Sequence, residues 1–149
     1  MKSSHPSPSG FFRGINLAFA SLFVAGLALA EVKTPAIFGS NMVLQRNHAN
    51  PVWGWADKGE KVTVSIAGQS HETQTAKDGN WRVTLKPLKA TDKALTLSIK
   101  GKNELKYENV LVGEVWVCSG QSNMGMSVNR ANDADLEMMS AKHPNLRII

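Results

Sequence analysis

The chain has 149 residues, enough for one ordinary domain or for a small domain joined to part of another. A hydrophobic fraction of 42% and a charged fraction of 19% call for a packed core and exclude a disordered chain. The net charge of +5 is carried by scattered lysines, which read as a solvated surface and exclude a nucleic-acid partner.

Residues 1–30 have the pattern of a secretory signal peptide. Lys2 and Arg13 precede a charge-free apolar stretch from Ile15 to Leu29, which is short for a membrane span. Ala28-Leu29-Ala30 places small residues before a cleavage site at Ala30-Glu31, so an exported product, periplasmic or extracellular, is expected, with no membrane span in the mature chain. An uncleaved anchor is the alternative. Cleavage removes two basic residues and no acidic one, lowering the net charge from +5 to +3. The single cysteine, Cys118, cannot form an internal disulfide. Its place at the end of an apolar run predicts a small buried hydrophobe.

From Ala36 to Val112 apolar and polar residues alternate. Val62, Val64 and Ile66 form one such set, Trp81, Val83 and Leu85 a second, and Leu95, Leu97 and Ile99 a third. Turn chemistry separates them at Asn50-Pro51, Asp57-Lys58-Gly59, Ala67-Gly68-Gln69, Asp78-Gly79-Asn80 and Gly101-Lys102-Asn103. Residues 31–112 are therefore expected to form an antiparallel β-sandwich of about seven strands. Trp53 and Trp55 are two residues apart and share a face of any strand. Exposed, they would suit stacking on sugar rings. The large area an indole buries favours a place in the core beside Trp81. His48 and His71 have no second ligand at metal-binding spacing and read as surface residues.

At Val110 the alternation stops. "NVLVGEVWVCSG" is apolar on both faces, as in a parallel strand covered by helices. A loop follows, then a helix capped by Asn132 or Asp133. Asp135 and Glu137 suit its N-terminus, Lys142 and His143 its C-terminus, and Pro144 its end. Leu136 and Met139 would face inward, and "NLRII" would begin another strand. Strand, loop, helix and strand over residues 113–149 read as the incomplete start of an α/β domain, and hence the chain as an N-terminal fragment. Ligands of α/β sheets bind beyond the carboxyl ends of strands, where Gly120 and Ser122 stand. A serine there can expose its hydroxyl beside a backbone N–H that stabilises an oxyanion.

Three segments, "NMVLQR" (Asn41 to Arg46), "VWGWADKGEKVTV" (Val52 to Val64) and "NVLVGEVWVCSGQSNM" (Asn109 to Met124), resemble the start of the sialate O-acetylesterase family, a branch of the SGNH (GDSL-like) hydrolases. "PNLRI" at Pro144 to Ile148 extends the resemblance, which runs from about Pro35 onward. It implies a β-sandwich followed by a flavodoxin-like hydrolase domain that uses no metal or other cofactor. The implied reaction removes O-acetyl groups from carbohydrates, sialic acids before other sugars. By position, Ser122 is the implied nucleophile and its backbone N–H one oxyanion donor. Gln121 replaces the Asp of the more typical G-D-S, and Gly120, Gln121 and Asn123 would shape the turn. The family's further oxyanion donors and its Asp-x-x-His block are absent from these residues, which implies little activity for this chain alone. His143 lies too early to be that histidine and reads as a capping or surface residue. A non-catalytic glycan-binding or assembly module, with Ser122 a plain turn residue, is the competing reading. An acetylxylan-type esterase would share the chemistry and differ in substrate.

Overall fold

The computed structural model describes residues 31–148, so the expected signal peptide lies outside the described residues. The fold is mostly β with little helix. Its strands are β1 (Val43–Gln45), β2 (Asn50–Trp55), β3 (Lys61–Ile66), β4 (Gln69–Gln74), β5 (Asn80–Leu85), β6 (Thr91–Lys100) and β7 (Glu104–Gly113). A five-stranded sheet has the order β1-β7-β6-β3-β4, and β2 and β5 form a separate pair. The expected antiparallel pairing holds except between β1 and β7, which run parallel with Val43 opposite Leu111.

The three alternating sets bury the residues that their period assigns to the core, except that Leu95 is half-buried at its edge. Val62, Val64 and Ile66 of β3, Leu97 and Ile99 of β6, and Trp81, Val83 and Leu85 of β5 belong to one cluster fed by both sheets. Each fully buried aliphatic side chain contributes about 1.5–3 kcal/mol relative to leaving it in water. Residues Val110 to Val112 are buried on both faces of β7, which is why the alternation fails there.

Ala67 and Gly68 join β3 to β4 with φ of 50° and 77°. This two-residue, left-handed connection matches the twist of the strands it joins. Asn50-Pro51 proves to be the start of β2 rather than a turn. The Asn50 side chain instead braces the turn before it: Gln45 N donates to Oδ1, and Nδ2 donates to the carbonyls of Gln45 and His48. Glu60, also buried, accepts from Asp57 N through one carboxylate oxygen and from Lys102 N through the other, tying two loops together.

Trp53 and Trp55 share a face as expected, but not the core face. They are 38% and 48% exposed, whereas Trp81 is buried. Val52, Gly54 and Ala56 take the inward positions. Gly54 admits no side chain: a Cβ there would lie 1.9 Å from the Lys33 carbonyl oxygen and 3.0 Å from the Trp81 ring. The backbone approach of the Lys33–Trp55 bridge and the Trp81 indole fill the space that an inward Trp53 or Trp55 would need.

Beyond Gly113 the expectations fare differently. No strand covers Val115–Cys118; Trp116 and Val117 are exposed, and so is Cys118, contrary to its expected burial. Among the described residues no strand or helix covers this run, so its apolar character has no partner to meet. The helix forms as α1 (Ala134–Ser140), with Asp133 at its N-cap in the left-handed region and making no side-chain capping bond. It ends before Lys142 and His143, and Leu136 and Met139 face solvent. Asn145 to Ile148 form no strand. Among the described residues no helix is long and apolar enough to cross a membrane.

Candidate functional site

The segment leading to Ser122 is anchored where β7 leaves the sheet. Gln45 Nε2 donates to Glu114 Oε2 at 2.8 Å, while Gln45 Oε1 accepts from Val115 N at 2.8 Å. Arg46 pairs with the other Glu114 oxygen, and Arg46 N donates to the Gly113 carbonyl. The hydrogen bond from Gln45, then that from Arg46, hold the Glu114 carboxyl below its ordinary range. At the opposite end of the β1–β7 contact, Asn109 Nδ2 donates to Asn41 Oδ1 at 2.7 Å. The first and third motif segments are thus one structural unit, clasped at both ends.

Seven residues past this anchor Gln121 caps a 3₁₀ turn, Ser122–Gly125, in which Met124 N donates to the Gln121 carbonyl. Ser122 opens the turn and is exposed, as are Gly120, Gln121 and Asn123. A Cβ on Gly120 would lie 2.7 Å from Met124 Cγ, so the glycine leaves room for that side chain to fold back. No hydrogen bond joins the Ser122 hydroxyl to a base among the described residues. His143, the nearest histidine in sequence, is exposed, and its carbonyl accepts from Leu146 N. The arrangement presents a hydroxyl at the head of a tight turn but does not activate it.

A cleft of about 1130 Å³ lies beside this region, lined by Phe38, Trp53, Val115, Trp116, Cys118 and Leu146 among others. Ser122 is not part of its lining. Among the described residues, every exposed large hydrophobic residue apart from Ile37, Trp53 and Trp55 lies beyond Gly113. His48 is exposed, and His71 is half-buried with its Nε2 2.8 Å from Gln69 Oε1. Among the described residues no group of three or more His, Cys, Asp and Glu side chains could hold a metal ion. The sequence reading missed the Gln45–Glu114–Arg46 clamp; the polar "QR" closing an apolar strand was its only signal.

No protein-family model matches the chain. It is 32% identical over 123 residues to the sialate O-acetylesterase of Homo sapiens, a match covering 74% of this chain and 23% of that protein. The sialate O-acetylesterase of Rattus norvegicus is 34% identical over 120 residues, covering 72% of this chain and 22% of that protein. Among solved structures, a carbohydrate acetylesterase from Xanthomonas citri superposes with a TM-score of 0.70 at 31% identity, covering 76% of this chain and 26% of that one. The chain belongs with the sialate O-acetylesterase family, matching it along about three quarters of its own length and spanning less than a quarter of theirs.

Proposed function

We propose that this chain carries the β-sandwich and the nucleophile segment of an exported carbohydrate O-acetylesterase, acting on sialic acids before other acetylated sugars. Ser122 is the nucleophile in this reading. Its hydroxyl attacks the acetyl carbonyl, an acyl-serine forms with loss of the sugar alcohol, and water releases acetate. The Ser122 backbone N–H donates to the oxyanion, and Gly120, Gln121 and Asn123 shape the turn that presents it.

The observation that carries the reading is the exposed serine at the head of a tight turn, inside the motif that resembles the family's. A serine hydroxyl is protonated at neutral pH and needs a base to act. No base is bonded to Ser122 among the described residues, and the chain spans under a quarter of its relatives' length. In this reading the base and the remaining oxyanion donors come from further sequence, in an SGNH-type α/β domain that begins near Gly113. The exposed apolar residues from Val115 to Ile148 support this, since a hydrolase domain would cover them.

The test is covalent. A fluorophosphonate probe applied to the protein expressed from its complete reading frame should label Ser122, identified by peptide mass spectrometry. Labelling at another residue, or none in a folded and complete protein, would return Ser122 to the status of a turn residue.

A further inference from the structure

The outer face of the β2–β5 pair carries a second concave site of about 610 Å³, whose lining does not include Ser122. Its lining includes Trp53, Arg82, Asn80 and Gln74, with Gly54 and the edge of the buried Trp81. The strand register sets Trp53 opposite Arg82 and Trp55 opposite Asn80, so these four side chains share one exposed face. The Trp53 indole is held edge-on by Phe38, with ring centroids 4.8 Å apart and planes at 80°.

The site keeps polar groups that are not spent within the protein. Arg82 forms no ion pair and no side-chain hydrogen bond among the described residues. Asn80 Nδ2 donates to Asp78 Oδ2 and Gln74 Nε2 to the Gly59 carbonyl, which leaves both amide oxygens free to accept. The Trp81 indole is 3% exposed, and its Nε1–H has no acceptor among the described residues. A core aromatic normally finds a partner for that donor.

The geometry points to a glycan subsite that takes the carboxylate-bearing pyranose of an acidic sugar, an inference that rests on the acetylated-sugar reading and extends it. The flat apolar face of the sugar ring stacks on the Trp53 indole, with Trp55 continuing the platform about 7 Å along the strand. The Arg82 guanidinium donates to the carboxylate oxygens through its planar fork. Ring hydroxyls donate to the Asn80 and Gln74 amide oxygens. A neutral sugar would use the indole and the amides but leave the guanidinium unpaired, so charge is what selects the ligand.

The experiment is a titration of the full-length protein in the Ser122→Ala background, where turnover plays no part. The methyl glycosides of N-acetylneuraminic acid and of N-acetylglucosamine are compared by indole fluorescence and by NMR line shifts. The acidic sugar should bind saturably and about tenfold more tightly than the neutral one. Trp53→Ala should weaken both by about tenfold. Arg82→Gln should remove the preference for the acidic sugar while leaving the neutral one bound as before. Absence of saturable binding, equal affinity for the two sugars, or affinities that both substitutions leave unchanged would overturn the inference. If Trp53→Ala does not fold, as a melting curve would reveal, the exposed Arg82→Gln decides alone. Hydrolysis of an aryl acetate, which has no sugar, tests the esterase reading separately; its absence beside intact sugar binding would fell that reading and keep the subsite.

Discussion

Gln45 binds Glu114 and the residue after it with the two ends of one side-chain amide, so the end of β1 fixes the direction in which the chain leaves β7. Both residues lie in the segments whose sequence resembles the family. In the proposed reading they aim the seven residues, Val115 to Gln121, that lead to Ser122. Gln45→Ala removes the donor to Glu114 and the acceptor for Val115 N together. If Ser122 is the nucleophile, Gln45→Ala in the full-length protein should lower kcat more than it raises KM, with the β core melting within a few degrees of wild type. Equal kcat in the variant would separate the clamp from the site.

The same clamp has a pH signature. The Glu114 carboxyl is held below its ordinary value of 4.5, first by Gln45 and then by Arg46. A carboxyl with a lowered folded-state pKa stabilises the fold above its unfolded pKa, and that contribution is lost as pH falls through the folded one. The loss therefore falls at and below about pH 4.5, and it is small because the group is exposed to solvent. Glu104 and Asp78 are lowered too, by Ser98 and Asn80 respectively, so wild type alone cannot isolate Glu114. Melting temperatures of wild type and Glu114→Gln should differ above pH 5 and converge as pH falls towards 3. A constant gap across that range would contradict the assignment.

Ala67 occupies a left-handed position, with φ of 50°, in the β3–β4 connection. An alanine held there is disfavoured by about 1–2 kcal/mol, and glycine removes the clash at some entropic cost. Ala67→Gly should therefore stabilise the protein, by up to about 1 kcal/mol, in urea denaturation. A lower midpoint would show that the Ala67 methyl makes contacts worth more than the backbone strain.

Asn50 is buried and uses both ends of its amide on backbone groups. Asn50→Ala leaves Gln45 N and two carbonyls without these partners, at a cost of about 1–3 kcal/mol. Urea denaturation should show a lower midpoint with an unchanged slope. A neutral result would mean that water replaces the amide.

Much of the β region was legible in the sequence because a half-buried strand has to alternate. Val62, Val64 and Ile66 could face inward together only at period two, and Gly68 and Gly79 marked turns where φ is positive. The tryptophans were misread for a different reason. Area favours burying an indole, but Trp53 and Trp55 alternate with Val52, Gly54 and Ala56, and one strand cannot bury both faces against a single core. Gly54, which admits no side chain beside Trp81 and the Lys33 carbonyl, was the residue that should have decided it. Val115 to Cys118 illustrate a second limit: apolar character states a demand for burial without naming what meets it. Leu136 and Met139 are alike in this, apolar and exposed on α1. As for the candidate site, the motif and its glycine singled out Ser122, which stands exposed at the head of a 3₁₀ turn. The Gln45–Glu114 anchor could not be read from the sequence, because it joins positions 69 residues apart through a parallel pairing that the alternation does not encode.

The most direct measurement is acetate release from O-acetylated sialic acid and from an aryl acetate by the full-length protein, with and without Ser122→Ala. The account predicts release from both substrates by the native protein and a loss of at least about a thousandfold on substitution. Activity that survives Ser122→Ala, or a folded full-length protein that releases no acetate, would contradict it.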